Sequence, residues 1–275
     1  VADAVLKDPV TGNSMTYNGI DETSRVSGSQ YGGITGYWLS EGGTYTGSKP
    51  KFRQFELKLK KVVALAYATD EQLEDTQTLE SWLTRTVPNV LRFLVEDAII
   101  EGDGVGKPLG ILNSAALITV TRQTASKIEM LDVLNMWARR WAGVNDYRWT
   151  MNQDVVPQLA TMAGTYQNVF MPPGGLSGQQ YATLLGRPID ESEYAQSLNT
   201  KGDIMLWSPS QYQSIVKGTG DVKVLASPFV AFTTGEMAYR FTHRIDGEPV
   251  WSSALTPFHG SNTQSPFVTL GSASA

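Results

Sequence analysis

The chain has 275 residues, 41% of them hydrophobic and 18% charged, with a net charge of −5 at neutral pH. That length can bury a substantial core in one large domain or two small ones, and the acid excess excludes a bulk nucleic-acid binder held by positive charge. Cysteine is absent, which excludes disulfide frameworks, thiolate zinc sites and cysteine nucleophiles. No apolar run reaches the roughly 20 residues of a membrane-spanning helix. The opening VADAVLKDPV carries Asp3 and Asp8 where a signal peptide would need its apolar core.

Residues 1–35 are rich in Gly, Ser, Thr, Asp and Asn without a sustained period, and read as an extended arm that gains order by lying on something else. Residues 36–68 read as a long hairpin with the turn-rich tip SEGGTYTGSKP. Phe55, Leu57 and Leu59 alternate with Glu56, Lys58 and Lys60, which is strand period. Between Lys49 and Lys61 the ribbon holds Lys49, Lys51, Arg53, Lys58, Lys60 and Lys61 against Glu56 alone. A basic, two-sided ribbon of this length cannot bury itself and needs a neighbour.

Residues 69–101 carry helical signals. Thr69 with Gln72 forms a capping-box pattern, and Asp75 or Thr76 can cap a second helix. Leu79, Trp82, Leu83, Val87, Val90, Leu91, Leu94 and Ala98 then recur every three or four residues, with Pro88 expected to kink the helix and Gly102 to end it. Ser126 and Glu129 predict another capping box, opening a helix whose stripe is Ile128, Leu131, Leu134, Trp137, Ala138 and Trp141. YRWTM, RPIDES, GDIMLWSP and VKVLAS read as short strands, and NQDVVPQLATM as a helix. MAYRFTHRIDGEPVW reads as a strand, a turn at Asp246-Gly247 and a second strand. Helices and strands mix without strict alternation, which points to α+β.

Chemistry is hard to place on this chain. IIEGDGVGKPLGIL invites a phosphate-cradle reading, but three residues, not four, separate Gly102 from Gly106, and Lys107 is followed by Pro108. The loop also follows a helix, whose C-terminal end has the wrong polarity for an anion. A tight helix-to-strand turn fits better. His243 and His259 are the two histidines, and neither an HExxH nor a GxSxG motif occurs. His243, in an alternating strand, reads as a surface or interface residue. Glu71, Glu74 and Asp75 cluster where carboxylates complement a helix dipole. Catalytic machinery is missing, while an arm, a ribbon and a long helix belong to an assembly in which a neighbour buries what the subunit cannot.

The run ATDEQLEDTQTLESWLTRTVPNVLRFLVEDAIIEGDGVGKPLGIL resembles the major capsid proteins of tailed phages with the Hong Kong 97 fold. The matching parts are Asp70-Glu71-Gln72-Leu73-Glu74-Asp75, the helix to Glu101, Gly102-Asp103-Gly104 and Leu109-Gly110-Ile111; YRWTMNQDVVPQLATM, LLGRPIDES, GDIMLWSPSQYQSIV and AYRFTHRIDGEPVW follow in family order. The resemblance implies an N-terminal arm (1–35), an extended loop over an adjacent subunit (36–66), a peripheral domain (67–115 and 235–275) and an axial domain (116–234). It implies a non-enzymatic, cofactor-free subunit that assembles into hexamers and pentamers of an icosahedral shell around double-stranded DNA. Decoration, portal and scaffold proteins would be its partners. The expected location is the virion, with assembly in the host cytoplasm.

Inter-subunit contacts are expected from Lys49, Lys51, Arg53, Phe55, Leu57, Lys58, Lys60 and Lys61. Their acidic partners would be Asp70, Glu71, Glu74 and Asp75 of a neighbour. Some family members crosslink a lysine to an asparagine with a glutamate's help. Lys49 matches that lysine, but Gly235 and Thr242 stand at the partner positions, with Glu236 adjacent, so no autocatalytic crosslinking is expected. A start at Val1 without a helical leader fits a mature form after loss of a scaffolding segment. An encapsulin-type compartment or a gene transfer agent shell uses the same fold and is the alternative; a soluble enzyme with an unrecognised site is the more distant one.

Overall fold

The structure is a computed structural model describing residues 1–20, 22–69, 71, 77–160, 162, 170–171 and 182–273. In chain order the strands are β1 (Leu6–Val10), β2 (Ser14–Ile20), β3 (Ser29–Gln30), β4 (Ile34–Thr35), β5 (Phe52–Lys58) and β6 (Lys60–Thr69). Helix α1 (Gln77–Glu101) follows, then β7 (Ile118–Arg122), α2 (Met130–Ala138), β8 (Arg148–Met151), α3 (Val156–Ala160), β9 (Phe170–Met171) and β10 (Thr183–Leu184). The chain ends with β11 (Arg187–Glu191), β12 (Ile204–Trp207), β13 (Tyr212–Lys217), β14 (Lys223–Ala231), β15 (Glu236–Pro249) and β16 (Phe267–Ala273). The α+β expectation holds.

Two sheets dominate. The first is built on β15, a 14-residue strand. Ile245 pairs with both Lys60 and Val216, and Phe241 with both Ala64 and Val224, so β6 takes one edge of β15 while β13 and β14 share the other. Strand β1 adds in parallel beyond β13. The second sheet has the order β7-β16-β12-β8-β11-β10-β9. The sheets cut the chain differently from the expected segments. Strand β16, within 235–275, pairs with β12 and β7 in the second sheet, and β13 and β14, within 116–234, pair with β15 in the first.

Strand β12 joins the halves by alternation. Ile204 and Leu206 face the core of the second sheet with Trp149, Val133 and Met136, while Met205 and Trp207 face Ile99, Ile100, Tyr212 and Phe267. A fully buried ion pair, Arg122 with Asp203, ties this sheet's loops together; the same guanidinium donates to the carbonyls of Gly271 at 3.2 Å and Lys127 at 2.9 Å.

Helix α1 runs unbroken through Pro88. Proline inside a helix costs about 3 kcal/mol, whereas the buried face of Leu83, Leu91, Val95, Ile99 and Ile100 contributes roughly 1.5–3 kcal/mol per residue. Burial therefore wins. Thr69 closes β6 opposite Glu236 and Glu71 is helical; Gln72, Asp75 and Thr76, on which the capping expectations rest, lie outside the described residues.

Three further expectations are corrected. The arm is strongly structured on its own chain: β1 joins the first sheet and β2 pairs with β5 from Ser14↔Lys58 to Ile20↔Phe52. The ribbon's second strand is thus β2, while 36–51 contain no strand. In α2 the buried apolar residues are Val133 and Met136, with Leu131 and Leu134 exposed, and Glu129 caps the helix by pairing its N–H with the carboxylate of Asp132, itself buried, at 3.0 Å. Ser126 instead sits at a φ of 57°. Asp246-Gly247 makes no turn, because both lie inside β15 opposite Ile215 and Ser214. Gly247 is required by a close approach: a Cβ there would stand 2.7 Å from the Tyr212 ring.

Candidate assembly interface

The ribbon is one-sided. Leu57 is 1% exposed, packed against Val10 and Ile215. Phe55 stacks on Tyr17 at 5.5 Å between centroids, and the Arg53 guanidinium lies 5.2 Å over the Phe55 ring. Phe52, Gln54, Glu56 and Lys58 line the exposed side, with Lys58 paired to Glu56 at 3.0 Å. Lys49 and Lys51 are exposed and make no ion pair among the described residues. The tip exposes Tyr37, Trp38, Leu39 and Tyr45, and Trp38 has no cover at all.

The root of the ribbon is a dense polar knot. Asp246 accepts the Lys58 N–H at 2.9 Å on Oδ2 and pairs with Lys60 Nζ at 2.9 Å on Oδ1. The same ammonium donates to the carbonyls of Gly104 at 2.8 Å and Lys107 at 2.9 Å. The glycine-rich loop therefore cradles a cation, a lysine of its own chain. Its turn is fixed by Gly102, where a Cβ would sit 2.0 Å from the Pro108 carbonyl oxygen. The Leu109 N–H donates to the Gly247 carbonyl at 2.9 Å, tying the loop to β15. Arg53 pairs with Glu248 at 3.7 Å and donates to the Val250 carbonyl at 3.3 Å. Burial, eased by Arg53, pushes the Glu248 carboxyl above its usual value.

Of the expected contact residues, Leu57 and Lys60 are thus satisfied inside their own subunit, and Lys49, Lys51, Lys58 and Lys61 are exposed. Glu71 is exposed; Asp70, Glu74 and Asp75 lie outside the described residues. Asp246 went unread because its Asp-Gly pair imitates a hairpin turn. The signal that would have found it is the alternation of Tyr239, Phe241, His243 and Ile245, which runs straight into Gly247.

A groove of about 790 Å³ runs between β1, α1 and the β13–β14 turn, with Pro9, Val10, Leu91, Val95 and Ile245 on its walls. His243 lines it, half-buried, with its pKa lowered by burial and by Lys7. No group of three or more His, Asp or Glu side chains that could hold a metal occurs among the described residues. Nor is any described helix long and apolar enough to cross a membrane.

The family described as "Phage capsid family" matches residues 8–260. The chain belongs to the phage capsid family. Among solved structures, this capsid chain is similar to the capsid of an empty GTA particle, at 17% identity and a TM-score of 0.76, covering 99% of this chain and 89% of that one. It is similar to a chain of Gordonia phage Cozz at 13% identity and a TM-score of 0.64, covering 100% and 86%. A holo-SrpI encapsulin complex from Synechococcus elongatus matches at 12% identity and a TM-score of 0.67, covering 98% and 85%. No curated protein matches. The capsid fold is of the Hong Kong 97 type, the chain is a shell subunit that acts in many copies, and the family is structural.

Proposed function

We propose that this chain is the major capsid protein of a tailed phage, assembling through hexamers and pentamers into an icosahedral shell around double-stranded DNA. The observation that carries the reading is the family match over 8–260 on a subunit whose ribbon projects an uncovered Trp38 and the exposed Lys49 and Lys51, without an ion pair among the described residues. Such a surface is complete only against a neighbour.

In this reading residues 1–35 are the arm and 36–66 the extended loop. The peripheral domain is the β15-centred sheet with α1; the axial domain is the seven-stranded sheet with α2 and α3. Lys49, Lys51, Arg53, Phe55, Lys58 and Lys61 make the ribbon's contacts. The net charge of −5 suits a container for DNA, since strong attraction would resist packing and release of the polymer. Decoration, portal and scaffold proteins complete the particle.

The shell is held without covalent crosslinks. Condensing a lysine with an amide needs a base to take the ammonium proton, and Gly235 and Thr242 supply neither amide nor carboxylate. Purified particles treated with nuclease, then boiled in denaturant, test both points. The expected result is protected double-stranded DNA and a single band near 30 kDa. Particles without DNA would favour an encapsulin-type compartment, and a ladder of bands would contradict the noncovalent shell.

A further inference from the structure

The part of the first sheet formed by β6, β15 and β14 has two unlike faces. One carries Ala64, Ala66, Val224, Tyr239 and Phe241 and is closed by Leu83 and Leu91 of α1. The pairing register sets the other, because cross-strand partners share a face. Lys61 stands opposite Arg244, Val63 opposite Thr242 and then Lys223, and Leu65 opposite Arg240 and then Leu225, with Tyr67 opposite Ala238.

This face is both apolar and basic. Val63, Leu65 and Tyr67 are at least half exposed, and Lys61, Lys223 and Arg240 are exposed. None of Lys61, Lys223, Arg240 and Arg244 makes an ion pair among the described residues. No acid lies between them. Glu236 at one end accepts a hydrogen bond from Thr234, and Asp246 at the other is committed to Lys60. No other described strand pairs with the outer edge of β6. Crowded cations of one sign repel in the isolated subunit, and that repulsion reverses when carboxylates arrive.

We propose that this face docks a second copy of the chain, entered by that copy's acidic segment 70–75. The inference rests on the shell reading. Charge complementarity carries it: without these four cations the rest of a chain of net charge −5 stands at −9. The segment DEQLED offers Asp70, Glu71, Glu74 and Asp75 with no cation, and Leu73 between them for the aliphatic row. Double-stranded DNA would meet the cations but leave Val63, Leu65 and Tyr67 against phosphates.

The test is charge reversal with rescue, using the full chain. Wild type, K61E/R240E, E71K/D75K and the combined quadruple variant are assembled side by side, and closed particles are counted by electron microscopy. Circular dichroism melting of each unassembled subunit identifies any variant that has failed to fold. Each double variant is expected to cut particle yield about tenfold or more, as like charges meet at the contact, while melting like wild type. The quadruple variant is expected to recover most of the yield. Wild-type shells with undiminished K61E/R240E shells would overturn the docking proposal alone. So would a quadruple variant that folds and stays as defective as its parents. A wild-type chain that forms no particles would overturn the shell reading, and this proposal with it.

Discussion

Asp246 is the residue on which the ribbon turns. It is almost fully buried, and its two oxygens take the Lys58 N–H, the Gly247 N–H and the Lys60 ammonium. Lys60 in turn fills the carbonyls of the 102–110 loop. Removing one partner of such a pair leaves an uncompensated charge, worth about 3–5 kcal/mol when burial is complete. Asp246→Ala is therefore expected to destabilise the unassembled subunit by about 3 kcal/mol in urea unfolding. The double variant Lys60→Met with Asp246→Asn should recover much of that loss, since no lone charge remains. Equal stability losses in the single and double variants would show that the pair's electrostatics are not what holds the root. Neither residue was legible as a latch in the sequence. Lys60 reads as one more ribbon cation and Asp246 as a turn, because the pairing joins positions far apart in the chain.

At the scale of elements, legibility followed locality. The stripe from Leu79 to Ala98 is a local period, and α1 lies where that period places it, although Trp82, Val90 and Leu94 of the stripe are exposed and Val95, outside it, is buried. The ribbon's partner strand was not legible, since the β2–β5 register joins 14–20 to 52–58 and leaves no short-range mark. Strand β6 shows a subtler limit. Alternation identifies it as a strand but not which face is inside. Its small residues Ala64, Ala66 and Ala68 lie under α1 while the larger Val63, Leu65 and Tyr67 point outward. Close helix-on-sheet packing favours the alanines, and the large side chains are left for a neighbour.

The seam between β1, α1 and the β13–β14 turn carries a pH dependence. His243 lies in that seam, where burial and Lys7 of β1 lower its pKa, and Asp3 and Arg92 line the same groove. A depressed histidine pKa means the unfolded chain binds the proton more readily. Stability is then present above the unfolded value of 6.5 and is lost as pH falls from there toward the folded value. Glu248 works in the opposite sense, since its raised pKa favours the folded state as pH falls. The melting temperature of His243→Gln should therefore drop less than that of the wild type between pH 7 and pH 5. Parallel drops would remove His243 from the account.

At the scale of the whole molecule, the family was read through the resemblance, and the family match over 8–260 bears it out. Composition and motif searching alone stopped at an assembly subunit without catalytic machinery. What remains exposed on the isolated subunit, the ribbon tip and the outer face of β6, is surface that a shell would cover. The most direct test is negative-stain electron microscopy of the purified protein beside its sedimentation profile. The account predicts closed icosahedral particles, or pentamers and hexamers that convert to them. A uniform 30 kDa monomer that stays monomeric under every assembly condition would contradict it.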